Sequence, residues 1–453
     1  MDAAPDLMAL ADLFPHASRS EWLALVEKTL KGASVETLVA CKSDGLTIQP
    51  LYTAEDAPAV APTAREATGW DIRAAVAAGP DANDQALEAL AGGATSLLVD
   101  ARDGGHSLAR TLEGVVTEVA LVALDSGDAG LAAAHALNAS AKASPGARLA
   151  FHLDPMSAFA VAGGEGQVAD AAKLAARLAE TYPKASLFLA SGRVVHEAGG
   201  TAAAEIAFAA AAAVAYAKVL TAAGLDMPGA WRRIVLGLSV DAEPIGGVAK
   251  LRAARRVWDR IASACGAAVP AHIEARSSRR MLARTDHWTN LIRLTAAGFA
   301  AAVGGADAIA LGAFDEPLGR EPELLARRQA RNIQLILKDE ARLDEAGDPA
   351  AGCWALEAQT DSLARAAWSR FVAIERQGCL VNALASGSIA ADVAAARADL
   401  AAALADKSRR MVGVTDFRPA DPPPDENVGA SPPQDAANPH SPLAPIRLED
   451  LAA

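Results

Sequence analysis

The chain has 453 residues, with 52% hydrophobic and only 4% aromatic side chains and a formal net charge of −13. The length exceeds one ordinary domain but suits an α/β barrel with extensions, and the core has to be built from Ala, Leu and Val. The acidic balance argues against nucleic acid or an anionic membrane as partner, since both recruit basic faces.

Cys41, Cys265, Cys353 and Cys379 are widely spaced without a C-x-x-C pair, so neither a zinc site nor a disulfide framework is expected, and a reducing cytoplasm is the simplest compartment. Met1 to Phe14 carries Asp2, Asp6 and Asp12 and no basic n-region, which argues against a signal peptide.

In chain order, an N-terminal arm (1–63) holds an amphipathic helix over Ser18–Lys31, with Ser18 or Ser20 as N-cap and Gly32 as stop, then an extended piece over Leu46–Tyr52. From 64 to 415, short apolar runs alternate with Ala/Leu/Arg stretches of helical period. The runs Trp70–Val76, Thr95–Val99, Val119–Leu124, Arg148–Leu153, Ser186–Val195, Arg233–Val240, Val269–Glu274 and Ala306–Leu311 are the expected strands. Eight strand–helix units fit an α/β (β/α)8 TIM-type barrel, with an open doubly wound sheet as the alternative. Ala202–Leu225 is long and apolar, but its alanines and its Glu205 and Lys218 favour a buried soluble helix over a membrane span. Helices are expected over Glu321–Asp344, Thr360–Gly378 and Ser388–Asp406. The tail, 416–453, is proline-rich and reads as flexible, except that Pro445–Leu451 is amphipathic enough to dock.

Gly163-Gly-Glu-Gly166 lacks dinucleotide-motif spacing and reads as a loop, and no H-E-x-x-H, G-x-S-x-G or P-loop is present. Barrel chemistry gathers at the C-terminal strand ends, which singles out Asp100, Asp125, His152, Asp154, Arg193, His196, Asp241, Glu243, His272, Glu274, Arg276, Asp315 and Glu316. Each is also explained by a solvated loop charge or a buried ion pair. The run Lys250-Leu-Arg-Ala-Ala-Arg-Arg256, with Glu375 and Arg376, reads as a solvated or salt-bridged helix face.

Several segments together resemble the methylmalonyl-CoA mutase family, and its small subunits in particular. They are Phe14-Pro15 through Trp22, Leu30-Lys31-Gly32, Ile48-Gln-Pro-Leu-Tyr52, Gly69-Trp-Asp-Ile-Arg73, His196-Glu-Ala-Gly199, Ala249-Lys-Leu-Arg-Ala-Ala-Arg255 with Trp258, Asp286-His-Trp-Thr-Asn290 through Arg293, Gly304-Gly305, Leu318-Gly319, Ala330-Arg-Asn-Ile-Gln-Leu-Ile-Leu337 and Asp348-Pro-Ala-Ala-Gly-Cys-Trp354 with Glu357 and Thr360. The resemblance runs over about residues 12–415 in the family's order. It implies a radical isomerisation between (R)-methylmalonyl-CoA and succinyl-CoA, started by adenosylcobalamin, with the CoA thioester threaded along the barrel axis.

The departures from the family pattern imply a subunit that does not itself turn over. Catalytic subunits carry R-G-x-Y-x-T-M-Y where this chain has Arg65-Glu-Ala-Thr-Gly69, and S-G-Y-H-x-Q-E-A-G where it has Ser191-Gly-Arg-Val-Val-His-Glu-Ala-Gly199. Arg193 therefore stands at a tyrosine, Val194 at a histidine and His196 at a glutamine. Ungapped alignment puts Glu274 at the H-C-Q-T-S-G histidine, with His272 as the shifted alternative, and L-H-T-N is replaced by Leu311-Gly-Ala-Phe314. The cobalt-ligating D-x-H-x-x-G motif does not occur. The resemblance thus implies no catalytic residue, no cofactor residue and no metal ligand in this chain. Arg193, His196, His272 and Glu274 are then degenerate barrel-mouth positions, and adenosylcobalamin is expected on a large catalytic partner in a heterodimer. The alternatives are a stand-alone barrel using His196, His272 or Glu274 for acid/base chemistry, or a homodimeric scaffold.

Overall fold

The computed structural model describes residues 17–452 apart from 59–64, 66–67, 142–143, 164–166 and 421–442. Eight parallel strands close a barrel in sequence order: β1 Asp71–Val76, β2 Ser96–Asp100, β3 Leu121–Asp125, β4 Leu149–Leu153, β5 Ser186–Ser191, β6 Ile234–Val240, β7 Ile273–Ser277 and β8 Ala308–Ala310. The closing seam pairs Ala308 with Asp71 and Glu274. The closed barrel settles the choice against an open sheet.

Alternation along each strand sorts two cores. Outward residues such as Ile72, Leu97, Val122, Phe151, Phe188, Leu236 and Ile273 pack under the helical ring. Inward, Leu98, Ala123, Ala150 and Ala310 form a separate small cluster. The lumen is narrow: a Cβ on Gly237 would lie 3.1 Å from Leu189 and from Ser191. Small inward residues leave room for the long charged side chains described below.

The helix Ala202–Ala222 is the one described segment long and apolar enough to cross a membrane, and 78% of its apolar window is buried inside the fold. Its alanines let the helices Pro244–Ala264 and Trp354–Arg376 pack closely against it. The few aromatics are spent here: Tyr216 stacks on Phe188 at 4.5 Å, and Trp231 meets Trp258 edge-on at 4.6 Å.

All eight strands move at one or both ends by at least one residue, and two move by four. β5 ends at Ser191, because Gly192 turns the chain where a Cβ would lie 2.1 Å from the Glu205 carbonyl oxygen, and a short helix Arg193–Glu197 follows. β7 starts at Ile273 and not at Val269. Pro270 has no N–H to give a ladder, and the carbonyls of Val269 and Ala271 are taken by Trp258 Nε1 and Arg255 Nη1. β2 and β3 each end one residue later, at Asp100 and Asp125, and β3 starts at Leu121 and not at Val119. The expected helix 321–344 is Leu324–Leu335 followed by a π turn over Ile336–Glu340, and Thr360–Gly378 lies inside the longer Trp354–Arg376.

In the arm, Ser18 caps the helix Arg19–Thr29 and forms a reciprocal capping box with Glu21. The extended piece reduces to Thr47–Ile48, paired with Ala40–Cys41. In the tail, Leu443–Ala452 lies against the barrel: Ile446 N donates to Glu197 O at 2.8 Å and Leu448 N to Arg280 O at 2.9 Å, with Leu448 buried. Gly164–Gly166 lie outside the described residues. Gly163 ends the helix Pro155–Ala162 at φ +73°.

Candidate functional site: a plugged barrel axis and a sealed mouth

Glu274 is the second residue of β7 and points inward, so it sits deep in the barrel and not at the strand end; it is fully buried. Arg73 of β1 binds its Oε2, and Arg276 Nε binds its Oε1 at 2.5 Å. His152 Nε2, from β4 across the barrel, is 3.6 Å away. Arg73 Nε also donates to Ser96 Oγ at 3.1 Å. One layer higher, Arg276 Nη1 meets Asp125 at 3.2 Å, and Arg102 Nη2 meets the other Asp125 oxygen at 2.9 Å. Side chains from β1, β2, β3, β4 and β7 therefore cross-link the axis.

Burial pushes the Glu274 carboxyl up, but Arg276, His152 and Arg73 together outweigh it and hold it well below the usual carboxylate range. Burial, opposed by Glu274 and reinforced by Arg73 and Arg276, brings His152 down to about 4. His152 is thus neutral near pH 7. Its Nδ1 lies 3.0 Å from Leu124 O, its Nε2 has no hydrogen-bond partner among the described residues, and its backbone is left-handed at φ +48°.

His272 lies elsewhere. It precedes β7 at the N-terminal end of the barrel and is exposed, so it faces neither the mouth nor Glu274. Both residues were expected at the mouth, and the four-residue displacement of β7 moves both away from it.

His196 is at the mouth but sealed. It is 1% exposed, with Nε2 at 2.8 Å from Ser278 Oγ and Nδ1 at 3.3 Å from Glu205 Oε2. Glu205 also receives Lys250 Nζ at 2.7 Å and Ser239 N at 2.6 Å. A Ser–His–carboxylate order of this kind can relay a proton, but Ser278 and Glu205 are both fully buried. Desolvation, then Arg280, keeps His196 below its ordinary value. Glu197 accepts the backbone N–H groups of Arg279 and Arg280 at 3.2 and 3.0 Å, and the docked tail lies over this seam.

The other mouth residues are also engaged. Asp100 accepts Arg102 N. Asp154 caps the helix Pro155–Ala162 and accepts Tyr216 Oη at 2.6 Å; burial raises it to about 6. Asp241 is 3.7 Å from Arg280, Glu243 pairs with Lys42, Asp315 accepts Glu323 N at 2.9 Å and Glu316 meets Arg279 at 2.5 Å. Arg193 lies at the rim beside Arg276.

Of the two readings of the basic run on Pro244–Ala264, the salt-bridged one holds, and the run is mostly buried and not solvated. Besides Lys250 on Glu205, Arg252 reaches Asp348, Glu357 and Thr360, Arg255 reaches Asp307, and Arg256 reaches Glu357. The A-K-x-R-A-A-R and D-P-A…E…T segments are thus two halves of one latch. In the sequence Glu205 marks only a soluble helix and Arg73 only a family segment, and neither stands among the strand-end candidates. A lone carboxylate inside an alanine helix is a usable signal, since a buried charge demands a partner.

These features define a closed (β/α)8 barrel whose axis is filled by its own ion pairs. The methylmalonyl-CoA mutase family model matches residues 164–440. The chain is 36% identical to the methylmalonyl-CoA mutase small subunit of Streptomyces virginiae, over 91% of this chain and 72% of that protein. It is 30% identical to the small subunit of Propionibacterium freudenreichii subsp. shermanii, over 92% and 71%. To the methylmalonyl-CoA mutase of Escherichia coli (strain K12) it is 30% identical over 52% and 34%. The chain belongs to the methylmalonyl-CoA mutase family, a family of isomerases whose reaction uses adenosylcobalamin.

Of the candidate histidines, His152 and His196 are buried and His272 precedes β7 at the opposite end of the barrel, so none of the three presents an exposed ring nitrogen at the mouth to that cofactor.

Proposed function

We propose that this chain is the non-catalytic small subunit of a cytoplasmic methylmalonyl-CoA mutase, assembling with a large subunit that binds adenosylcobalamin and the CoA thioester. The observation that carries this reading is the Arg73–Glu274–Arg276–Asp125 plug. A thioester threaded along the axis would have to displace at least three buried charges, and stranding one of them costs about 3–5 kcal/mol. A carboxylate at Glu274 would also repel a thioester oxygen that a catalytic histidine would polarise. Arg193, His196, His272 and Glu274 accordingly carry no catalytic role in this reading.

The arm, 1–63, is the segment proposed to wrap the partner. Its helix Arg19–Thr29 buries no residue, and Leu25 is 62% exposed. A stand-alone acid/base enzyme is disfavoured because its best-organised group, His196, has no access to solvent.

The test is co-expression with a mutase large subunit, followed by size exclusion and a mutase assay. The expected result is a stable complex, with no turnover by this chain alone whether or not adenosylcobalamin is added. Turnover by the isolated chain would overturn the non-catalytic reading. A large subunit that ignores this chain and is fully active without it would overturn the partnership.

A further inference from the structure

Arg193 is a cation at the mouth that the fold leaves without a hydrogen-bond acceptor among the described residues. Among the described residues its guanidinium donates no hydrogen bond; its only carboxylate within 4 Å is Glu197, at 3.9 Å, which is committed to the backbone N–H groups of Arg279 and Arg280. Its side chain is only 18% exposed, and Nε is buried without a partner. Arg276 is a second such donor: its side chain is 6% exposed, its Nη1 is spent on Asp125 and its Nε on Glu274, and Nη2 is buried without a partner. Arg193 follows β5 and Arg276 lies on β7, and the register through β6, which pairs Ser191 with Gly237 and Ser239 with Arg276, sets both at one level of the mouth. In keeping with this, burial, then the neighbouring charge of Arg276, pushes the Arg193 guanidinium down.

Buried guanidinium N–H groups without acceptors are costly and rarely stay empty. The nearby carboxylates cannot supply the acceptor as arranged. Asp125 is shared between Arg276 and Arg102, Asp100 accepts Arg102 N, and Glu316 holds Arg279. Two adjacent planar forks with free edges match the paired oxygens of a small oxyanion.

We propose that Arg193 and Arg276 form a binding site for a small oxyanion, a carboxylate or a phosphate, at the rim of the barrel above Asp125. The site is independent of any turnover, because binding through Arg276 Nη2 leaves the pairs of Arg276 with Asp125 and Glu274, and so the plug, in place. Asp125 and Asp100 below it disfavour a large polyanion and limit the ligand to one or two charges.

Isothermal titration of the full chain with inorganic phosphate and with malonate, each at constant ionic strength set with sodium chloride, distinguishes the two sources. Saturable one-to-one binding of either, weakened at least tenfold in Arg193→Gln and partly kept in Arg193→Lys, is the expected result. Binding of phosphate alone identifies a phosphate site, and of malonate alone a carboxylate site. Unsaturable heats for both, or equal binding by Arg193→Gln, would overturn the proposal. A wild-type readout covers a poorly folding variant: bound ligand should slow phenylglyoxal modification of Arg193 several-fold by mass spectrometry, and an unchanged rate would also overturn it.

Discussion

Two buried ionic centres in this barrel use the same chemistry and are finished differently. In the outer latch, every nitrogen of the Arg252 guanidinium has an acceptor, Nε and Nη2 on Asp348, Nη2 also on Glu357 and Nη1 on Thr360, although its neighbours Arg255 and Arg256 keep buried Nε groups without a partner among the described residues. In the axis plug, Arg276 keeps one free N–H edge, His152 keeps a free ring nitrogen, and the His152 backbone is left-handed. The latch joins two helices that have to stay together for the barrel to close. The plug fills a channel, and the His152 Nε2 that lacks a hydrogen bond lies 3.6 Å from Glu274. A guanidinium with an acceptor for every nitrogen is the costlier one to disturb.

The largest effects separate the two centres by how they fail. Arg252→Ala strands Asp348 and Glu357 and should cost about 3–5 kcal/mol, read as a lower urea midpoint. Replacing Arg73, Glu274 and Arg276 together by Met, Leu and Met should be neutral or stabilising by about 1–4 kcal/mol, because an imperfect network is exchanged for packed apolar volume. Equal losses at both centres would mean that the plug holds the fold together as the latch does.

The next effect is specific to the plug, since the latch contains no histidine. His152 titrates at about 4 in the fold against 6.5 when free. Between those values the unfolded chain binds a proton that the native chain refuses. Its contribution is therefore fully present above pH 6.5 and is lost as pH falls towards 4, to a total of about 3 kcal/mol. Asp154, raised to about 6 by burial, works in the opposite sense over nearly the same range, because the native state holds its proton longer. The measurement is accordingly a difference. His152→Asn tolerates the left-handed backbone and still donates to Leu124 O. Its stability should fall less than wild type between pH 7 and pH 4.5, and parallel curves would assign the acid sensitivity elsewhere.

Much of the fold was legible because the outward faces of the strands are ordinary Val, Leu, Ile and Phe, and their alternation with helices is regular. What was illegible lies inside. The run around β7 was placed four residues early because its inward positions, Glu274 and Arg276, are charged, while the apolar Val269 and Ala271 before it are held by Trp258 and Arg255 and not by the sheet. That single offset carried His272 and Glu274 to the mouth in the sequence reading. The basic run Lys250–Arg256 was hidden for a related reason: Glu205, Asp348 and Glu357, its partners, lie 45 to 105 positions away, and long-range ion pairs leave no local period. His196 was placed correctly at the mouth. Its burial depends on Ser278, Glu205 and the returning tail, none of which a local pattern connects to it.

The smallest predicted effect tests the comparison most closely, because it removes one neutral hydroxyl acceptor from a buried guanidinium in each centre. Thr360→Val deprives Arg252 Nη1 of its 3.2 Å bond and Ser96→Ala deprives Arg73 Nε of its 3.1 Å bond. In the latch, the helices Pro244–Ala264 and Trp354–Arg376 enclose the site, so the stranded donor should cost about 1–2 kcal/mol. In the lumen, Ala at 96 opens space among small neighbours beside groups that already lack partners, and a water there can take the freed N–H. Ser96→Ala should then cost less than about 1 kcal/mol by urea denaturation. If the two substitutions cost the same, the plug is as tightly finished as the latch, and the free guanidinium edges at the mouth lose their meaning as a binding site.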